Sequence, residues 1–334
     1  MKASRALTEV SVAAKLAAAA FDVTRPVLAN LIVTRRCNLS CGYCHEFDAV
    51  SPPVPLADLT ARIDRLAELG TILVTLTGGE SLLHPDIVRV VAHVKQRGMV
   101  PLLNTNGFLL TKQHILALNA AGLHGMQISV DNVTPTAVSK KSLKTLLPKL
   151  KLLAKHAEFR VRVASVLNND RPADALVVAK TALELGLETK AMLARDSQGA
   201  LLPVADETAA VYRDILALGK RSSSYLSEDF QSKLLAEGNS AWKCRAGARY
   251  FHVSENGDVH FCPAHAHKPG IPILALTPDH IRQAFYTQKP CAERCTQPYA
   301  HQISALDKFR SQPGRVTLPA RLPAPKVVRL PVVQ

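Results

Sequence analysis

No stretch of this chain comes near the ~20 consecutive apolar residues that a membrane-spanning helix needs. An export signal is missing too. The Ala-rich N-terminus SVAAKLAAAAFDV is broken by Lys15 and Asp22 and preceded by Glu9, and its uncharged core, 16–21, is too short for an h-region. It reads as a helix packed on the domain. There is no P-loop, no Ser/His/Asp arrangement and no general-base constellation, so hydrolase and kinase chemistry have no support. Acidic residues run out at the C-terminal end: none follows Asp307, whereas Arg310, Arg315, Arg321, Lys326 and Arg329 do. A solvated basic tail thus accounts for part of the formal charge of +14 without any nucleic-acid partner. Lacking an export signal, the chain is expected in the cytoplasm. In that reducing compartment its seven cysteines suit ligation better than disulfides.

What is present is enough for one large domain and a smaller appendage: 334 residues, 47% of them hydrophobic. From residue 27 to about 196, β-branched runs alternate with amphipathic segments of helical length. Strands are expected at 27–34, 71–77, 100–105, 125–131, 159–166 and 188–193. Helices are expected at 56–69, 86–97, 112–121, 140–156 and 173–185. Such alternation predicts an α/β fold with a parallel sheet and right-handed crossovers. Six units are too few for a closed barrel of eight, so a partial (β/α)6, TIM-like barrel is expected. Ligands on such sheets gather at the carboxyl ends of the strands.

Beyond residue 199 the pattern changes. Helical stretches at 206–218 and 227–237 lead to RYFHVSENGDVHFC, where Asn256-Gly257 between β-branched and aromatic residues signals a hairpin. A short helix at 278–285 precedes the last cysteines, and the final residues are Pro-rich and basic. The expected organisation is an N-terminal helix over 1–26, a barrel core over 27–199, a small α+β extension over 200–300 and a tail over 301–334.

The segment VTRRCNLSCGYC places Cys37, Cys41 and Cys44 in a C-x3-C-x2-C loop directly after the first strand. Zinc and iron–sulfur clusters are the two soft-thiolate choices. A structural zinc wants four closing ligands. Three cysteines leave one position open, as in a cubane whose fourth iron is kept for a substrate.

This loop, with aromatic Tyr43 before its third cysteine, resembles the signature of the radical S-adenosylmethionine superfamily. The resemblance implies a [4Fe–4S] cluster on Cys37, Cys41 and Cys44, S-adenosylmethionine on its open iron, and a 5′-deoxyadenosyl radical. It implies Tyr43 near the adenine and, at the next strand end, Gly78-Gly79-Glu80 as the family's GGE motif. There the glycines would let the backbone approach the ligand, and Glu80 would hold its ammonium. Asn106 in the run Asn104–Gly107, and Ser129 and Asp131 ending the fourth strand, resemble positions holding the methionine or ribose. Asn168 and Arg195 are weaker candidates. A flavodoxin or ferredoxin would supply electrons.

Four cysteines remain: Cys244, Cys262, Cys291 and Cys295. C-x12-G-x4-C through Gly257 resembles the opening of the twitch and SPASM extensions of this superfamily. Four thiols suffice for a single auxiliary iron–sulfur cluster, the shorter twitch form, although the closing C-x3-C departs from the commoner C-x2-C. A four-cysteine zinc site is the alternative. A fully ligated cluster could accept an electron from the substrate radical, making the net reaction an oxidation. His252, His260, His265 and His267 crowd this region without a pattern that requires direct roles. Only about 26 residues precede the first strand, too few for a recognition domain. That favours a small metabolite, or a peptide presented by another protein. An RNA-modifying enzyme and a non-catalytic metal-binding protein remain as rival readings.

Overall fold

The computed structural model describes residues 2–44, 47–219, 230–239 and 242–310. After helix α1 (Lys2–Phe21), six strands run in parallel: β1 (Leu28–Thr34), β2 (Leu73–Gly78), β3 (Val100–Thr105), β4 (Gly125–Ser129), β5 (Arg160–Leu167) and β6 (Glu188–Leu193). The crossovers are α2 (Leu56–Glu68), α3 (Ile87–Gln96), α4 (Lys112–Ala120), α5 (Leu143–His156) and α6 (Pro172–Glu184). This is the expected α/β architecture, a partial TIM-like barrel. Helix α5 begins three residues later than expected because Ser142 caps it, accepting a hydrogen bond from Thr145 N.

Period-two alternation gives each strand two different faces. Ala29, Leu31, Val33, Val74, Leu76 and Leu103 share the main core with helix residues such as Leu59, Ile63, Val90 and Val94, all fully or almost fully buried. Burying each large aliphatic side chain contributes about 1.5–3 kcal/mol. The opposite face carries Asn30, Thr75, Asn104, Gln127, Arg162 and Lys190. A polar inner wall cannot be the core, and it suits a polar ligand.

Beyond β6 come α7 (Asp206–Gly219), α8 (Phe230–Glu237), β7 (Tyr250–Val253), β8 (Asp258–His260), β9 (Ile271–Pro272), α9 (Pro278–Tyr286) and α10 (Pro298–Ser304). The expected helix over 227–237 is described only from Phe230; its first residues lie outside the described residues. The hairpin at Asn256-Gly257 forms, with His252 opposite His260, and Gly257 adopts φ +87° in its turn. It is not a detached appendage. Strand β7 pairs in parallel with β1, giving one nine-stranded sheet in the order β6-β5-β4-β3-β2-β1-β7-β8-β9. The barrel edge at β1 is thereby covered rather than left open.

The expected tail boundary at 301 is corrected: it falls inside α10, and residues up to 310 are packed. Asp307 is buried against Arg249, with Nε–Oδ2 2.9 Å and Nη2–Oδ1 3.1 Å, and Arg249 Nη1 also donates to Asp22 O and Arg25 O. A buried carboxylate needs such a partner, and this one ties the C-terminal segment to the start of the barrel. Arg315, Arg321, Lys326 and Arg329 lie outside the described residues.

Candidate active site

The loop that follows β1 is folded back on itself. Cys37 N donates to Asp48 O at 2.9 Å, Asp48 N returns to Arg35 O at 3.0 Å, and Cys44 N donates to Cys41 O at 3.0 Å. Gly42 N reaches Val138 O at 2.9 Å, fastening the loop to the turn after β4. Cys41 is buried, while Cys37 and Cys44 are half-buried. Burial pushes the Cys37 thiol up, and Glu80, Cys44 and Cys41 lie near enough to push it further.

Gly78 lines the main cavity, and both Gly78 and Gly79 also make a close backbone contact. A Cβ on Gly78 would stand 2.0 Å from Thr34 O, and one on Gly79 would stand 2.3 Å from Arg35 O. Their bareness lets the end of β2 press against the backbone of the cysteine loop. Gly79 N donates to Thr34 O and Glu80 N to Arg36 O, both at 2.9 Å. Glu80, 1% exposed, accepts from Thr105 Oγ1 at 2.6 Å, Asn106 N at 2.6 Å and Leu82 N at 2.9 Å. Burial raises its pKa and these hydrogen bonds oppose the rise. Asn106 in turn donates from Nδ2 to Asn38 Oδ1 at 2.7 Å, with Cys37 Sγ at 3.8 Å. The ends of β2 and β3 thus converge on the first cysteine.

Asp131 is the clearest departure. Its side chain is fully enclosed and does not line the main cavity. Oδ1 accepts from Val166 N at 3.0 Å, while Oδ2 accepts from Ser139 Oγ at 2.7 Å and Tyr43 Oη at 2.5 Å. Lys141 Nζ donates to Tyr43 Oη at 2.6 Å and lies 3.8 Å from Asp131. Burial alone would drag Lys141 down, but Asp131 and Tyr43 hold it above its usual range, so it stays cationic. Asp131 therefore anchors the cysteine loop. Tyr43 keeps its ring on the cavity wall. Lys141 and Ser139 were not foreseen; no local pattern marks a lysine ten residues after an aspartate as its partner. Ser129, half-buried, ends β4 on the same inner face as Gln127. Asn168 accepts from Asp170 N and is spent on that turn, whereas Arg195 lines the cavity.

The other four cysteines also draw together. Burial raises Cys262 to about 11 and Cys295 to about 12, and each feels the charges of Cys244 and Cys291. Burial lifts Cys244 as well, with Lys289 countering it. Trp242 Nε1 donates to Ala292 O at 2.6 Å, and Thr296 N donates to Gly199 O at 2.9 Å, pinning the last pair beside the end of β6. His265 Nε2 stands 3.6 Å from Cys291 Sγ. His252, His260 and His267 instead line the cavity. Among the described residues no three His, Cys, Asp or Glu side chains close tightly enough on one point to hold a metal ion. Both groups are gathered rather than closed. Buried thiols of this kind fit a group that takes thiolates and repays their desolvation with positive charge.

Between the two groups lies a cavity of about 620 Å³. Tyr43, Cys44 and Gly78 face it from one side. Ala264 and Thr296, close in sequence to Cys262 and Cys295, face it from the other.

Fold and site together define an α/β protein with a half-open parallel barrel and three cysteines in the loop after its first strand. Residues 31–167 match the family model described as the Radical SAM superfamily. Over that region, which holds the cysteine loop and runs from β1 to the end of β5, the chain is similar to the superfamily. It is similar to PqqA peptide cyclase of Gluconobacter oxydans, 27% identical over 251 residues, covering 70% of this chain and 68% of that protein. It is also similar to the AdoMet-dependent heme synthase of Methanosarcina barkeri, 35% identical over 104 residues, 30% of this chain and 29% of that protein. Among solved structures, SuiB of Streptococcus suis bound to precursor peptide SuiA superposes with TM-score 0.62 at 14% identity, over 81% of this chain and 67% of that one. The anSMEcpe enzyme with bound AdoMet and Cp18Cys peptide gives TM-score 0.56 at 15% identity, over 83% and 88%. These structural likenesses establish the fold. No helix among the described residues is long and apolar enough to cross a membrane.

Proposed function

We propose that this radical SAM enzyme modifies a peptide, with Cys37, Cys41 and Cys44 holding the catalytic cluster and Cys244, Cys262, Cys291 and Cys295 an auxiliary one. The observation that carries the reading is the cavity lined by Cys44 of the first group and by Pro263, Ala264 and Thr296, the chain neighbours of Cys262 and Cys295 in the second. When bound, the first cluster and S-adenosylmethionine supply the 5′-deoxyadenosyl radical that takes a hydrogen atom from substrate. The chain's own part is positional. Glu80 and Asn106 shape the loop around Cys37, Tyr43 walls the cavity, and Lys141 with Asp131 keeps the loop at the barrel mouth. Ser129 and Arg195 sit where a polar ligand would meet them. An auxiliary cluster with four thiolates has no open iron, so it would take an electron from the substrate radical and make the net change an oxidation. A flavodoxin or ferredoxin would feed the first cluster.

A peptide is favoured over a small metabolite because PqqA peptide cyclase, SuiB with its precursor peptide and anSMEcpe with its bound peptide are all peptide-linked by name. The match of residues 31–167 to the Radical SAM superfamily favours an enzyme over the non-catalytic reading.

Anaerobic protein reconstituted with iron and sulfide should release 5′-deoxyadenosine on addition of dithionite and S-adenosylmethionine. Replacing Cys37, Cys41 and Cys44 with Ala should abolish that release. Replacing Cys291 and Cys295 with Ala should block product while uncoupled 5′-deoxyadenosine continues. Full turnover in that last variant, shown to lack the auxiliary iron, would rule out the electron-accepting role.

A further inference from the structure

The inner wall contains one amine that the proposed chemistry leaves unused. Lys190 lies in the middle of β6, level with Ala164 of β5, which is itself level with Ser129 of β4. Met192, two residues further on and therefore on the same face, lines the cavity. Lys190 Nζ is buried and has no hydrogen-bond partner; what it faces is the ring of Tyr299, 5.2 Å to the centroid, and Tyr299 also lines the cavity.

Its neighbours cannot satisfy it. Tyr299 is hydrogen-bonded to Asn104. The carboxylate near this layer, Glu188, is shared by two arginines: Arg160 Nε at 2.7 Å from Oε1, and Arg162 Nη2 at 2.9 Å from Oε2. Glu188 is thus taken up by Arg160 and Arg162. A buried ammonium without a counter-charge is unfavourable, and burial together with Arg162 lowers Lys190 to about 7. Folded chains rarely keep such an arrangement inside a cavity wall unless it serves a ligand.

We propose that Lys190, set behind the cavity residues Met192 and Tyr299, forms a carboxylate-binding subsite that holds an acidic group of the substrate. Charge, enclosure and the missing partner all call for an anion. Its four-carbon stem allows the amine to rise toward a group lying over Tyr299, and a carboxylate arriving there would supply the counter-charge that Lys190 lacks. The inference rests on the cavity being the substrate site, but it concerns recognition alone and stands apart from radical formation.

The test uses holoenzyme with its clusters oxidised, carrying lysine labelled with ¹³C at Cε. Comparison with Lys190→Met assigns the Lys190 signal. The probes are glutarate, a free diacid; N-acetyl-glutamate amide, an acidic residue in peptide form; and N-acetyl-glutamine amide, the uncharged control. The expected result is a Lys190 signal that titrates near neutrality and shifts upward in pH with saturating carboxylate probe. Affinity should fall by about tenfold or more in Lys190→Met, the scale of a lost charge-assisted hydrogen bond. Lys190→Arg should retain part of it. Tighter binding of the blocked glutamate than of glutarate assigns the subsite to a peptide residue, and the reverse order to a small acid; either order supports the proposal. An unmoved Lys190 signal, equal affinity in Lys190→Met, or equal binding of the glutamine probe overturns it. Loss of S-adenosylmethionine affinity in Lys190→Met with unchanged glutarate binding overturns it too, assigning the amine to the cofactor. Failure of 5′-deoxyadenosine release in wild-type protein would instead strike the enzymatic reading and leave this binding result intact.

Discussion

The hydroxyl of Tyr43 meets the carboxylate of Asp131 at 2.5 Å across 88 residues of sequence, and Lys141 closes the triangle. This contact joins the cysteine loop to the carboxyl end of β4. Asp131→Ala leaves Lys141 as a buried cation without its counter-charge, which should cost about 3–5 kcal/mol. Tyr43→Phe removes a hydroxyl and should cost nearer 1–3 kcal/mol. Urea unfolding of both variants checks the ranking, and equal losses would contradict it.

The two glycines after β2 make a steric prediction. Gly79→Ala places a methyl against Arg35 O and Arg36 O, backbone atoms that cannot rotate away. The cysteine loop should shift, and iron at the first site should fall while the overall circular dichroism holds. Gly42→Ala, in the same loop, meets nothing nearer than 3.8 Å and should keep its iron. Iron content per chain separates the two.

Lys190 makes a prediction about pH. Its folded pKa of about 7 lies below the unfolded value of 10.5. The unfolded chain therefore holds more protons between those values, and stability gains from this residue as pH rises through that window. Below about 7 the penalty is fully present. Lys190→Met should be more stable than wild type near pH 6.5, by at least about 1 kcal/mol, with the advantage fading toward pH 10. A difference independent of pH, measured by denaturant midpoints, would contradict the burial of this amine.

The buried pair Arg249–Asp307 should behave like the first. Asp307→Asn removes a charge that is 1% exposed and leaves Arg249 unbalanced, at a cost of about 3–5 kcal/mol. Limited proteolysis should then cut earlier in the segment 298–310 than in wild type.

Much of the fold was legible because strands and helices of a parallel α/β barrel announce themselves locally. Runs such as LANLIVT and RVRVASVL are strands by their β-branched content, and their bounds came out within about two residues. The cysteines were legible for a different reason: their spacing is itself the chemical signal. What stayed hidden depends on pairing over long distance. Nothing in YFHV says that it will lie beside LANLIVT, since hydrogen bonding between strands is blind to side-chain identity. The loop-bracing contacts of Asp131 and Gly79 stayed hidden for a related reason. Sequence showed polar and bare positions at strand ends, but whether such a position faces a ligand or another loop is decided only once both loops are in place.

Because β7 is laddered directly onto β1, the strand that leads into the first cysteine loop and the hairpin that leads to Cys262 are neighbours in one sheet. Sliding one relative to the other would mean breaking that ladder, so their spacing is a constant of the molecule. Electron tunnelling falls off exponentially with separation. On the proposed reading, strand pairing would therefore help set the rate at which charge passes from one site to the other.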